Sequence, residues 1–299
     1  MAWLLTEKVI PPMLGGDPPD YQIALEPTKS EELPDTWKLR WKERTVGFAA
    51  SRVEERPTGE LDRLSFVEFE DLPVESVLSE SLGAVAAVVK PLVQGTRGFD
   101  LDMVVATRMT FDINRRLSRF DTTIDLSDVP DFLRIEGIVQ EKGKLTIVSQ
   151  VSSGGAGHGQ SFKHSIQLPP EALVESAFSP RPELKGLYIG QKWTIPVVRA
   201  FAVNSPIQML QAEVEQHDII MWGSDEVETK LVVYRTEAGS GVQATRDPIS
   251  REWVRDDGTI LRQQVSFSGL ELTFEREHDS VSDPRMEKLD QLKQRLWSN

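Results

Sequence analysis

The sequence predicts a mainly β (α+β) protein: a large antiparallel sheet with helices packed against it and an amphipathic helix at the C-terminus. Three observations carry this. In residues 250–276, Asp257-Gly258 supplies the positive-φ position of a tight hairpin turn between flanks rich in β-branched and aromatic residues, so residues 253–255 should pair with 260–264. Leu270, Leu272 and Phe274 then alternate with Glu271, Thr273 and Glu275, the period of two expected of a strand with one apolar face. Against this rhythm, residues 73–94 and 284–297 repeat their apolar positions at helical spacing.

Taken in order, residues 1–14 are apolar and contain Trp3, then stop at prolines and Gly15-Gly16. Two readings stand: the stump of a signal anchor, or an N-terminal arm packed on the body. Residues 15–34 are rich in Pro, Gly and acids and read as a linker, so residues 1–36 form an arm ahead of a β domain over 37–277. Strands are expected at 37–44 and 46–55, a turn at 56–60, and a third strand at 61–71. After Pro73, the residues Val77, Leu78, Leu82, Val85, Val88, Val89 and Leu92 mark a helix whose second half is apolar on almost every side. Such a helix either plugs the concave face of the sheet or acts as a lid over an apolar cavity.

Strands are expected again at 101–113 and 117–126, then at 132–139 and 145–151 around a turn at 141–144. The Gly-rich residues 152–160 lack the Lys-Ser/Thr ending of a phosphate-binding loop and read as a loop. A strand at 161–168 and a short helix at 169–178 follow, then strands at 190–198, 210–218, 227–235 and 241–245. Residues 278–299 are a linker and a helix with Met286, Leu289, Leu292 and Leu296 on one side, suited to docking on its own body or, alternatively, to binding a partner. Residues 111–120 echo residues 254–263 in pattern, an apolar strand end, a polar turn and a returning strand.

Composition narrows the function. With 34 Lys and Arg against 47 Asp and Glu, the net charge is −13, which argues against a nucleic-acid partner and against charge-driven binding to anionic lipid. The chain has no cysteine, so disulfides, thiolate metal sites and cysteine nucleophiles are all excluded. His158 and His164 flank the Gly-rich loop but lack the spacing of a zinc protease helix. Asp121, Asp125, Asp128 and Asp131 lack the central Gly and bidentate Glu of a calcium loop and read as a solvated edge. Neither a nucleophile elbow nor a cofactor loop is found, so no enzyme, no cofactor and no metal is expected. Trp37 and Trp41, four apart on one strand face, form either a two-ring platform for a ligand or part of the core.

At Gly190-Gln191-Lys192-Trp193-Thr194-Ile195-Pro196-Val197, together with residues 252–263, the chain resembles exported bacterial proteins of the DUF3108 kind, which are similar to the lipoprotein-carrier half-barrels of the LolA/LolB-like group. The resemblance spans residues 37–277. It implies a strongly curved half-barrel with plugging helices, in an extracytoplasmic, periplasmic setting, handling a lipid or acyl chain. From this follow a ligand held between the sheet and the helix at 73–94, and anchoring to the inner membrane by an N-terminal segment. The alternative is a non-enzymatic scaffold or assembly subunit whose cavity is filled by its own side chains and whose C-terminal helix binds a protein partner.

Overall fold

Fifteen strands join in one sheet in the computed structural model, which describes residues 18–19, 21, 25, 27, 34–73, 100–126, 129–152, 160–169, 172–175, 180–199, 207–236, 247–267, 270–278 and 283–297. The first half is a meander of β1 (Asp35–Trp41), β2 (Arg44–Glu55), β3 (Leu61–Pro73), β4 (Asp100–Phe111), β5 (Leu117–Leu126), β6 (Val129–Val139), β7 (Lys144–Val151) and β8 (Gln160–Gln167). The chain then restarts at the opposite edge with β9 (Leu173–Glu175), β10 (Lys192–Arg199), β11 (Ile207–Trp222), β12 (Asp225–Thr236), β13 (Ser250–Val254), β14 (Ile260–Phe267) and β15 (Leu270–Arg276). Helix α1 (Asp283–Trp297) ends it. This is the mainly β fold that the sequence predicts.

The strand order is β8-β7-β6-β5-β4-β3-β2-β1-β15-β14-β13-β12-β11-β10-β9, so the first and last strands meet in the middle. Trp37 stands opposite Arg276, Leu39 opposite Phe274 and Trp41 opposite Leu272. Every pairing is antiparallel except that of β9 with β10. Twisted open sheets beyond about ten strands curl, because the right-handed twist accumulates from strand to strand. One face accordingly gathers into a single buried cluster with members from both halves, among them Leu145 and Ile147 of β7 and Trp193 and Val197 of β10. The architecture is barrel-like and open, with β8 and β9 at its two edges.

Four hairpins share one turn. At residues 56–60, 112–116, 140–144 and 255–259, the first residue's N–H donates to the fifth residue's carbonyl at 2.8 Å, and the fourth residue donates back to the first. The fourth residue takes positive φ each time: Gly59, Arg115, Gly143 and Gly258. This is a tight turn closed by a glycine-type bulge. Asp257 Oδ1 accepts the Thr259 N–H at 2.9 Å, and Asp112 Oδ1 accepts the N–H groups of Asn114 and Arg116. The echo between residues 111–120 and 254–263 therefore reflects a turn type that recurs in the sheet.

The short helix expected at 169–178 is corrected: Leu173–Glu175 is a strand, pairing Leu173 with Val197 and Glu175 with Arg199. Helix propensity differs between ordinary residues by under about 0.7 kcal/mol. Ladder bonds along the free edge of β10 outweigh it. The expected helix at 73–94 and strand at 241–245 fall almost wholly outside the described residues.

On the outer face, Leu289, Leu292 and Trp297 of α1 bury against Ala50, Leu64, Phe66 and Ala106 of β2, β3 and β4. Ion pairs frame this contact: Arg52 with Asp290 at 2.7 Å, Lys293 with Glu54 at 2.6 Å, and Lys288 with Glu68. Arg285 lies over the Phe48 ring and Arg108 over Trp297, and burial pulls both guanidinium groups below their ordinary pKa. The apolar stripe read from the sequence is thus spent on the protein's own sheet.

Candidate functional site

The inner face of the sheet is banded. Trp37, Ala49, Val67, Val105, Ile124, Leu133 and Val151 lie in register across seven strands and make an apolar row. Two residues along each strand runs a second row: Asp35, Ser51, Ser65, Thr107, Thr122, Ile135 and Ser149. Its hydroxyl-bearing members are all buried, and Thr107 and Thr122 share a hydrogen bond of 3.1 Å. The inner face thus carries a row of small polar side chains beside an apolar one.

A strap over residues 180–191 crosses this face. The Pro180 carbonyl accepts from Arg63 at 2.7 Å, and the Pro182 carbonyl accepts from Arg276 at 3.1 Å and from the Ile260 N–H at 3.0 Å. The Leu184 N–H donates to the Gly258 carbonyl at 2.7 Å. Between these contacts Arg181 turns inward. It donates to Glu252 Oε1 at 2.7 Å, and Tyr234 Oη donates to Glu252 Oε2 at 2.9 Å. Register explains why an acid is there: Glu252 lies in line with Val232, Gln263, Phe274 and Leu39, all on the inner face.

Aromatic rings enclose the pair. The Arg181 guanidinium lies 5.0 Å from the Tyr234 ring centre and 5.5 Å from that of Tyr21. Trp193 meets Tyr234 edge-on at 6.3 Å and donates its indole N–H to Tyr21 Oη at 2.8 Å. Burial pushes the Tyr21 phenol up to about 12, with Arg181 opposing the shift. Arg276 pairs with Asp35 and lies 5.6 Å from the Trp37 ring. A buried carboxylate with two donors and a stacked guanidinium is suited to holding the strap in register.

Of the residues singled out in the sequence, Trp37 is wholly buried in the core, and its Nε1 finds no acceptor among the described residues. Trp41 is half-buried at the end of β1, with the Lys42 ammonium 5.2 Å from its ring. Both face the same side, but Leu39 stands between them, so they do not form a continuous platform. Val77, Leu78, Leu82, Val85, Val88, Val89 and Leu92 lie outside the described residues.

His158 also lies outside them; His164 is on β8, where burial lowers its pKa, His217 pairs with Glu228 at 3.2 Å, and His278 stacks on Trp222 at 3.9 Å. The acidic run is not a solvated edge at Asp121, which is buried and pairs with Arg134 at 2.9 Å. Asp125 pairs with Arg295 of α1 at 2.5 Å, because the helix covers that end of the sheet. Asp128 lies outside the described residues.

Arg181 and Glu252 were not legible as a pair. They are 71 positions apart, and Glu252 reads in sequence like any polar residue in an alternating strand.

No family model matches the chain, and no curated protein matches it in sequence. Among solved structures, the chain is similar to a protein from Brucella abortus described as beta-barrel-like and of domain of unknown function DUF1849. That match has 9% identity and a TM-score of 0.44, over 82% of this chain and 96% of the other. A DUF1089-family protein from Pseudomonas aeruginosa matches at 11% identity and a TM-score of 0.34, over 74% of this chain and 90% of the other. The barrel-like architecture rests on this chain's own strand pairing.

Proposed function

We propose that this chain is a non-enzymatic binding protein that holds a lipid or other apolar ligand in the hollow of its curled sheet. The observation that carries the reading is the banding of the inner face, an apolar row from Trp37 to Val151 beside a row of hydroxyls. An amphiphile matches such a surface, its chain along the apolar row and its polar end toward the hydroxyls. Affinity would come from buried apolar area at about 25 cal/mol per Å². The segment containing Val77–Leu92 is the proposed lid, and an extracytoplasmic, periplasmic setting with an N-terminal segment holding the protein at the inner membrane completes the proposal.

The test is native mass spectrometry of protein purified from cells, followed by organic extraction. A stoichiometric lipid supports the reading. A bare mass, with no later uptake of a fluorescent fatty acid, overturns it.

One observation favours a second reading, a scaffold with a self-filled hollow. Leu133, Leu145 and Ile147, all on the inner face, have no exposed surface. Under that reading, replacing the exposed Glu287, Gln291 and Gln294 of α1 by lysine abolishes a protein complex, whereas a carrier so altered keeps its ligand.

A further inference from the structure

A groove of about 820 Å³ lies on the outer face of the sheet, on the side that α1 leaves uncovered. Its floor is made by β1, β15, β14, β13 and β12, and the turn after β1 closes one end. That volume lies within the range of about 300–1,000 Å³ typical of small-ligand sites. Its lining is largely polar, with Trp41, Trp253 and Leu231 as the apolar members. The lining does not suit a lipid.

Donors and acceptors alternate along the floor. Glu275 accepts from Arg40 at 3.5 Å and from Arg262 at 3.3 Å. Gln264 accepts from Arg251 at 2.7 Å and donates to Glu271. A ligand lying here therefore meets groups that give and take hydrogen bonds side by side, as vicinal hydroxyls do. Four cations face three carboxylates in the lining, against a chain whose net charge is −13.

Arg40 and Arg262 are paired with Glu43 and Glu275, which leaves Arg251, Lys42 and Glu271, itself bonded to Gln264, without an opposite charge among the described residues. Among the described residues, Arg251 bonds only the neutral Gln264, and Lys42 lies over the Trp41 ring without a carboxylate partner. Arg40, Thr273, Gln264 and Arg251 stand in one row across four strands, so the two ends are separated by roughly 14 Å at about 4.8 Å per strand. A ligand satisfying both ends must carry more than one anionic group, on a framework several rings long.

The geometry points to an acidic oligosaccharide as the ligand of this groove, with ring carboxylates at Arg251 and Lys42 and hydroxyls on the Glu275 and Gln264 networks. The site is separate from the hollow of the sheet and does not depend on what the hollow holds.

Titration calorimetry with trigalacturonate, and with the neutral trisaccharide maltotriose for comparison, tests this. Saturable binding of trigalacturonate is expected, with Arg251→Gln weakening it about tenfold and maltotriose binding at least as poorly as that variant. Lys42→Gln, at an exposed turn, should weaken binding similarly and guards against a variant that fails to fold. Absence of binding overturns the inference. So does equal affinity for maltotriose, or binding of trigalacturonate that both variants leave unchanged.

Discussion

Arg181 on the strap donates at 2.7 Å to Glu252 on β13, a carboxylate with no exposed surface. Removing one partner of a buried pair leaves the other charge desolvated and alone, which costs about 3–5 kcal/mol. Arg181→Ala and Glu252→Ala should each lower unfolding free energy by about that amount. The double variant Arg181→Met with Glu252→Met should lose less than the sum of the singles. Urea unfolding measures both, and single variants within about 0.5 kcal/mol of the parent would show that the strap is held by its backbone bonds alone.

Phe120 of β5 lies directly over Gly137 of β6. A Cβ built on Gly137 would sit 2.0 Å from the ring. Gly137→Ala should therefore destabilise by about 1–3 kcal/mol through overpacking, and Phe120→Leu in the same chain should recover part of it. Purely additive effects in thermal unfolding would sink this account.

Leu289 of α1 has no exposed surface, whereas the Lys293–Glu54 pair beside it is 45% and 27% exposed. Leu289→Ala should cost about 2–5 kcal/mol, and Lys293→Ala no more than about 1 kcal/mol. The reverse ranking would mean that charge and not apolar burial docks the helix.

Tyr21 bears on alkaline stability. A phenol is neutral while it holds its proton, and its pKa of about 12 against 10.0 means that the folded state keeps the proton longer. Below pH 10 both states are protonated and this contribution is fully present. As pH rises towards 12 the unfolded chain gains by ionising and stability falls, by up to roughly 3 kcal/mol. Tyrosinate absorbance should show a late-titrating component from the Tyr21 phenol. Tyr21→Phe should remove that component and flatten the stability curve in this window. A late component that survives the substitution would assign it elsewhere.

The turns were the most legible part of the fold. Asp257-Gly258 and Glu141-Lys142-Gly143-Lys144 are set by a few adjacent side chains and by positive φ at Gly258 in the first and at Lys142 and Gly143 in the second, and the structure has turns at both places. Strand positions were nearly as clear, because alternation such as that of Leu272 and Phe274 reports a half-buried strand directly. The stripe on α1 was readable for the same reason, although the sequence left open whether the sheet or a partner would cover it.

The candidate site was far less legible. Trp37 stands out in the sequence, but neither its burial beneath Arg276 nor the hydroxyl row beside it leaves a local mark. Ser51, Ser65, Thr107 and Thr122 are unremarkable in sequence and become a band only when four strands align.

By itself the sequence determined where strands and tight turns form and which side of the last helix is apolar, since these depend on neighbours within one turn or one pleat. Tertiary structure alone decided that β1 lies beside β15, with Arg40 meeting Glu275 across 235 positions. It also decided that Leu173–Glu175 is an edge strand and that Glu252 faces inward to Arg181. Those outcomes follow from closing long loops so that one whole face of the sheet is buried at once, a sum over distant residues that no local stretch encodes.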